Sequence, residues 1–296
     1  MTRAWCLGLV AACSPLTSAF VGPLAAHLTN SRPASARYAE APPTTAAAAA
    51  TAEQFTDELG QIDPEQAAMM EELCIVVDRD DKPLAPATKV QAHLCSEGLA
   101  LHRAFSVFLF DSSGRMLLQR RALSKHTFPG YWTNACCSHP LWNDFEMGLD
   151  GDADSSSALE AAARGARRAA ARKLEQELGV PAGQLPESAL RLMTRIHYRA
   201  ESEDGVWGEH EVDYIFLAQA DVDVAPNANE VAEAAYVTRA ELRALLARAD
   251  AGDARFTPWS RHVIDAFAHA WWDALGNAAA LDALADEVIH RVGDCA

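Results

Sequence analysis

The sequence predicts a single mixed α+β domain running from about residue 65 to the C-terminus. Three observations predict it. An alternating segment, His102 to Phe110, turns at Asp111-Ser112-Ser113-Gly114 and returns as Arg115 to Arg121. A helix-forming segment, Ala158 to Leu178, stops at Gly179 with Pro181 beyond. Two further strand-like segments, Leu192–Ala200 and Glu209–Ala218, flank the loop Glu201–Gly208. No internal repeat divides them, so one mixed domain accounts for all.

Upstream of that domain the composition changes. Arg3 precedes a short apolar run, Trp5 to Ala12, and then a stretch rich in Ala, Ser, Thr and Pro reaches Ala50. A signal-like segment followed by an acid-poor, hydroxyl-containing one reads as a two-part plastid leader over residues 1–50. A low-complexity tail without an address is the alternative, and it would leave the chain in the cytoplasm. The alanine run Ala46–Ala50 opens into a linker over residues 51–64.

Of the 296 residues half are hydrophobic and 22% charged, as in a soluble globular protein, and the formal net charge is −16. Three arginines against Glu40 leave residues 1–50 at +2, so the rest of the chain carries −18. An acidic body argues against nucleic acid as partner, although a small phosphorylated substrate needs only a few local cations. Seven cysteines, an odd number with two adjacent, show no CxxC spacing and read mostly as reduced thiols. No run of eighteen apolar residues occurs, so no transmembrane helix is expected.

The elements follow in order. Met69, Met70 and Leu73 lead into a buried strand, Leu73 to Val77, and Asp78 to Pro83 makes a turn. Thr127 to Pro140 lacks helical period and reads as a functional loop. Asp144–Ser157 is polar and acidic, as in a surface insertion. Helices are expected over Arg239–Arg248 and from Pro258, a favourable first position, to about Leu275.

Three segments can carry chemistry. In Cys136-Cys137-Ser138-His139-Pro140, Cys137 has the spacing of an acid/base group, a nucleophile or a metal ligand; a buried small hydrophobe beside a surface histidine is the plain alternative. In Glu209-His210-Glu211 the two carboxylates share one face of a strand and repel unless a cation or proton intervenes. A divalent metal with His93, His102 or His139 as nitrogen ligands resolves that, and a solvated strand end is the alternative. Arg121 and Lys125, with Lys89 upstream, can clamp a diphosphate or form an ordinary basic turn.

Taken together, these segments resemble type I isopentenyl-diphosphate isomerase, a branch of the Nudix fold. The resemblance is carried, in family order, by Leu101–Phe110, Gln119–Lys125, Thr127–Asn134, Cys136–Pro140, Trp207–Tyr214 and Thr257-Pro258-Trp259, and spans about residues 65–275. It implies an α/β/α sandwich around a mixed sheet. The implied activity is interconversion of isopentenyl and dimethylallyl diphosphate through a carbocation, supplying isoprenoid biosynthesis. His93, His102, His139, Glu209 and Glu211 would hold one divalent metal, Mg²⁺, Mn²⁺ or Zn²⁺. Cys137 and Glu211 would form the acid/base pair, with Tyr198 supporting proton transfer. Lys89, Arg121, Lys125, Ser138 and Lys173 would meet the diphosphate, Glu177 would bind its Mg²⁺, and Trp259 would face the cation. A monomer without flavin, nucleic-acid or membrane partner is expected.

One departure bears on a rival. Lys173 stands where some members have arginine, keeping the charge and losing the fork. Nudix pyrophosphohydrolases resemble one another in a box ending Arg-Glu-x-x-Glu-Glu-x-Gly. Here the run is Arg172-Lys173-Leu174-Glu175-Gln176-Glu177-Leu178-Gly179, and lysine and glutamine cannot replace two anionic magnesium ligands. The second alternative, a non-catalytic protein binding metal or isoprenoid diphosphate, would be expected to lose Cys137 or Glu211, and both are present.

Overall fold

The computed structural model describes residues 64–151 and 157–295. The leader, the linker up to residue 63 and the centre of the acidic segment lie outside the described residues.

Helix α1 (Pro64–Met70) leads into strand β1 (Leu73–Val77), which pairs antiparallel with β2 (Pro83–Thr88). Asp78 makes the turn between them by accepting hydrogen bonds from the amides of Asp80 and Lys82, both at 2.9 Å. β2 was not expected, because Pro83 and Pro86 argue against a strand. Its place at the sheet edge, where a missing N–H costs little, explains the exception. A short helix, α2 (Lys89–His93), starts in a capping box between Thr88 and Gln91.

β3 (His102–Phe110) and β4 (Met116–Arg121) follow as expected. The segment expected to be an irregular loop contains two short strands, β5 (Trp132–Asn134) on β4 and β6 (Cys136–Ser138) on β3. Three residues are too few to show a period. After α3 (Ala158–Leu178) come β7 (Arg191–Glu201) and β8 (Gly208–Gln219), then β9 (Val231–Val237), which pairs with β4. Helix α4 (Arg239–Asp250) precedes α5 (Pro258–Val263), which passes through a π turn, Ile264–Ala268, into α6 (His269–Asp273). Helix α7 (Ala278–Leu284) and strand β10 (Ile289–Arg291) end the described chain.

Among the described residues these strands make one mixed sheet in the order β10-β7-β8-β3-β1-β2, with β4 and β6 also on β3. β3 runs parallel to β8 from His102↔Glu211 to Phe110↔Gln219. Strand alternation then sorts side chains between two cores. Phe105, Val107 and Leu109 of β3 join Val212, Tyr214 and Phe216 of β8 beneath α3. Phe108 and Phe110 join Ile215 and Leu217 on the opposite face, beneath α4, α5 and α6. The result is the α/β/α sandwich. Each fully buried aromatic or aliphatic side chain adds about 1.5–3 kcal/mol relative to exposure.

Helix α3 lies close to the sheet because its inner face is mostly alanine: Ala162, Ala163, Ala166, Ala169 and Ala170 are all buried. Its Gly165 is required by contact, since a Cβ there would meet the Glu146 carbonyl at 2.1 Å. This corrects the expectation for the first half of the acidic segment. Glu146 and Met147 are buried, and Glu146 accepts hydrogen bonds of 2.7 and 2.9 Å from Arg172. That stretch is packed against α3 because Arg172 supplies the countercharge.

Candidate active site

Three imidazoles reach one point from three places. His93 ends α2, His102 begins β3, and His139 follows β6. Their ring centroids are 4.7, 4.7 and 4.8 Å apart. The register His102↔Glu211 brings β8 alongside, and alternation turns Glu209 and Glu211 to the same side. One donor atom from each of the five residues lies within 4.8 Å of the others, and all five are buried.

The tautomers of two rings follow from their backbone partners. Nδ1 of His93 lies 2.7 Å from the Lys89 carbonyl, and Nδ1 of His102 lies 2.8 Å from the Ala100 carbonyl. A carbonyl only accepts, so Nδ1 of each ring carries a proton and Nε2 is the nitrogen turned to the cluster, where a cation can take the place of a proton. Burial and the neighbouring His93 push His102 down to about 3. His139 is pushed well below the ordinary histidine range, first by burial and then by His93 and His102.

Two carboxylates share this small space. Oε2 of Glu209 lies 2.8 Å from Nε2 of His93, and Oε1 of Glu211 lies 2.8 Å from Nε2 of His139. Burial alone would raise Glu209, but the charge and contact of His93 hold it below the usual carboxylate range. Glu211 is driven well above that range by burial, then by Glu209 and Asp213. The buried Nε2 of His102 has no hydrogen-bond partner. Convergent imidazole lone pairs, an unpartnered nitrogen and two mutually repelling carboxylates are the donor set of a divalent cation. These residues fit one.

The cluster forms one wall of a cavity that Cys137, Arg121, Lys125, Ser138, Lys89 and Trp259 also line. Cys137 sits on β6, and its neighbour Cys136 points into the core beneath α3, as alternation requires. Burial pushes the Cys137 thiol up to about 12, against the pull of Arg121, so it is protonated at neutral pH. Arg121 Nη1 lies 3.8 Å from its sulfur, while the same guanidinium donates to the Thr127 carbonyl and hydroxyl.

The Tyr198 hydroxyl donates to Oε2 of Glu211, a cavity-lining residue, at 2.6 Å. Trp259 packs edge-on to Phe128 and lies over Tyr198, with ring centroids 5.4 and 5.9 Å away. Lys125 is 2.5 Å from Glu230 and Lys89 is 3.7 Å from Glu72, so both ammonium groups are held near the cavity by acids.

Lys173 and Glu177 are placed differently. They pair with each other at 3.2 Å on α3, and Gln119 and Cys136 also contact Glu177. Neither is among the residues lining the cavity, nor does Glu177 join the His/Glu cluster.

Several cavity residues were not foreseen. Gln66, Met69 and Met70 of α1 line it, as do His126 and Thr127. Glu230 is buried and bonds both Lys125 and Gln66. Asp213 follows Glu211 on the same face of β8, and Ser106 donates to it at 2.8 Å. Burial pushes Asp213 up to about 7 against that hydrogen bond. The alternation that paired Glu209 with Glu211 extends to Asp213 and was the available signal. Glu230 offered none, because its lysine partner is distant in sequence.

Residues 100–260 match the NUDIX domain family. An isopentenyl-diphosphate delta-isomerase of Aspergillus fumigatus is 47% identical over 234 residues, 75% of this chain and 79% of the relative. A Bos taurus protein of the same name is 43% identical over 244 residues, 81% of this chain and 99% of the relative. One from Camptotheca acuminata is 45% identical over 230 residues, 76% and 92%. With that likeness extending over most of both chains, this protein belongs to the isopentenyl-diphosphate delta-isomerase family within the NUDIX-domain proteins.

Proposed function

We propose that this chain interconverts isopentenyl diphosphate and dimethylallyl diphosphate by moving one proton in and another out. One observation carries the proposal. A protonated thiol, Cys137, and a carboxyl group held by a phenol, Glu211 with Tyr198, line or flank a single cavity that also presents an indole.

The roles follow from the chemistry of each group. Cys137, kept protonated by burial, gives its proton to the terminal carbon of the alkene. The adjacent carbon becomes a tertiary cation, and Arg121 beside the sulfur balances the thiolate left behind. Trp259 faces that cation with a ring that has no nucleophilic lone pair, a contact worth about 2 kcal/mol when desolvated. Glu211 takes a proton from the carbon on the diphosphate side, completing the shift, and Tyr198 orients it. Dry walls matter because water would trap the cation.

His93, His102, His139, Glu209 and Glu211 would hold the divalent ion, whose charge offsets the two carboxylates and lowers the proton affinity of Glu211. Lys89, Arg121, Lys125 and Ser138 anchor the diphosphate, so remote binding energy positions a featureless five-carbon chain. Glu177, now paired with Lys173 at 3.2 Å, would be the residue to hold the Mg²⁺ that accompanies the diphosphate. Hydrolysis is disfavoured because the buried position beside Glu177 is a lysine rather than a second carboxylate.

Residues 51–296 incubated with isopentenyl diphosphate and Mg²⁺ in deuterated water test the proposal. Dimethylallyl diphosphate carrying deuterium supports it, whereas unlabelled product or release of phosphate refutes it. We further propose that residues 1–50 carry a plastid address, which a fluorescent fusion of that segment tests.

A further inference from the structure

A second group of ligand-type side chains lies on the other face of the same strands. His197 of β7, His210 of β8 and Cys295 near the C-terminus each bring one donor atom within 4.8 Å of the others. His210 stands between Glu209 and Glu211, and alternation turns it away from the cluster they form. The C-terminal segment is held there by backbone bonds, Val292 N–H to the His197 carbonyl at 3.0 Å and Cys295 N–H to the Val292 carbonyl at 3.2 Å.

From these residues we propose a second metal site, for a thiophilic divalent ion such as Zn²⁺, with His197, His210 and Cys295 as protein ligands. Nδ1 of His210 faces the Leu99 carbonyl at 2.8 Å and therefore carries the proton, which leaves its Nε2 lone pair directed at His197. The two Nε2 atoms are 3.0 Å apart with the rings stacked. The buried His197 has no partner at Nδ1, so no second hydrogen bond fixes which nitrogen it presents. Zn–N bonds of about 2.0–2.1 Å at a tetrahedral angle place two nitrogens about 3.4 Å apart. The observed pair needs to open by only a few tenths of an ångström. Cys295 sits on a short terminal turn and can close on the ion without moving the sheet.

Nitrogen and thiolate donors select zinc over magnesium, so this site takes a different ion from an oxygen-rich one. Burial is the largest influence on the Cys295 thiol and raises it above its ordinary range, so a bound ion must displace the proton. Burial is partly offset by the pull of Arg79, Arg199 and Arg291. Their charge makes water or a small anion the ligand that completes the coordination. An occupied site would tie the C-terminal segment to β7 and β8, directly behind Tyr198 and Glu211.

Cobalt(II) titrated into the metal-free full-length chain tests the site independently of catalysis. The His/Glu cluster contains no sulfur, so only a thiolate ligand gives a near-ultraviolet sulfur-to-cobalt charge-transfer band. The band is expected in the wild type and in Cys137→Ala, and lost in both Cys295→Ser and His197→Gln, with one equivalent of bound cobalt lost alongside it. Added Zn²⁺ should bleach it. A wild type without the band, or a band that survives Cys295→Ser, overturns the proposal whatever the folding of the variants.

Discussion

Tyr198 holds Glu211 by a hydrogen bond of 2.6 Å from its buried hydroxyl to Oε2, while the other carboxylate oxygen faces His139. The two residues are register partners on β7 and β8, so the sheet itself sets their separation. Both ends of the carboxyl group are thereby fixed. Tyr198→Phe removes one restraint without changing the ring. It should lower kcat by about 10²-fold, the lower end of what a positioned acid/base group contributes, with KM changed little. Steady-state kinetics on both substrates reads the split, and an unchanged kcat would remove Tyr198 from the mechanism.

Glu211→Gln addresses both the metal and the chemistry. Glutamine keeps the shape but loses the charge that offsets a divalent ion and the base that accepts a proton. Retained metal, measured by elemental analysis after gel filtration, should fall together with turnover, the latter by about 10³-fold or more. Normal values for both would exclude Glu211 from the site.

Cys137→Ala should abolish double-bond migration and leave metal content intact, because Cys137 is not among the five clustered ligands. A second consequence follows from burial. The thiol ionises near 9 when exposed and is pushed up to about 12 in the folded chain. Above pH 9 the unfolded chain releases this proton while the folded one keeps it. The stability contributed is therefore complete below 9 and declines as pH rises towards 12. Denaturant unfolding across that window should show a slope for the wild type steeper than that of Cys137→Ala by up to about 1.4 kcal/mol per pH unit. Identical slopes would place the thiol in contact with water.

Gly179→Ala tests the end of α3. Gly179 has φ of 63°, and an added Cβ would lie 2.7 Å from the Ala225 carbonyl. The left-handed backbone alone costs about 1–2 kcal/mol, and the close contact adds to it. Thermal unfolding should show a lower Tm, and an unchanged Tm would mean the turn relaxes freely.

Much of this molecule follows from local pattern. The bounds of α3, Ala158–Leu178, are those expected, because an alanine- and leucine-rich segment with a glycine stop carries its own signal. β3, β7 and β8 match within one or two residues, since period two is also local. Cys137, Glu209 and Glu211 stood out by their neighbouring residues, and Tyr198 by resemblance alone. The weakly patterned edge β2 and the three-residue β5 and β6 did not, since their pairing is made by distant partners rather than by their own composition.

What required the folded chain was every relation between segments. Three histidines from α2, β3 and the end of β6 converge only because β3 pairs with both β6 and β8. Glu230 meets Lys125 through packing that no spacing encodes. His197, His210 and Cys295 meet on the far face for the same reason. Dihedral preference and hydrophobic period act over a few residues, whereas register and burial are decided when remote segments exclude water from one another.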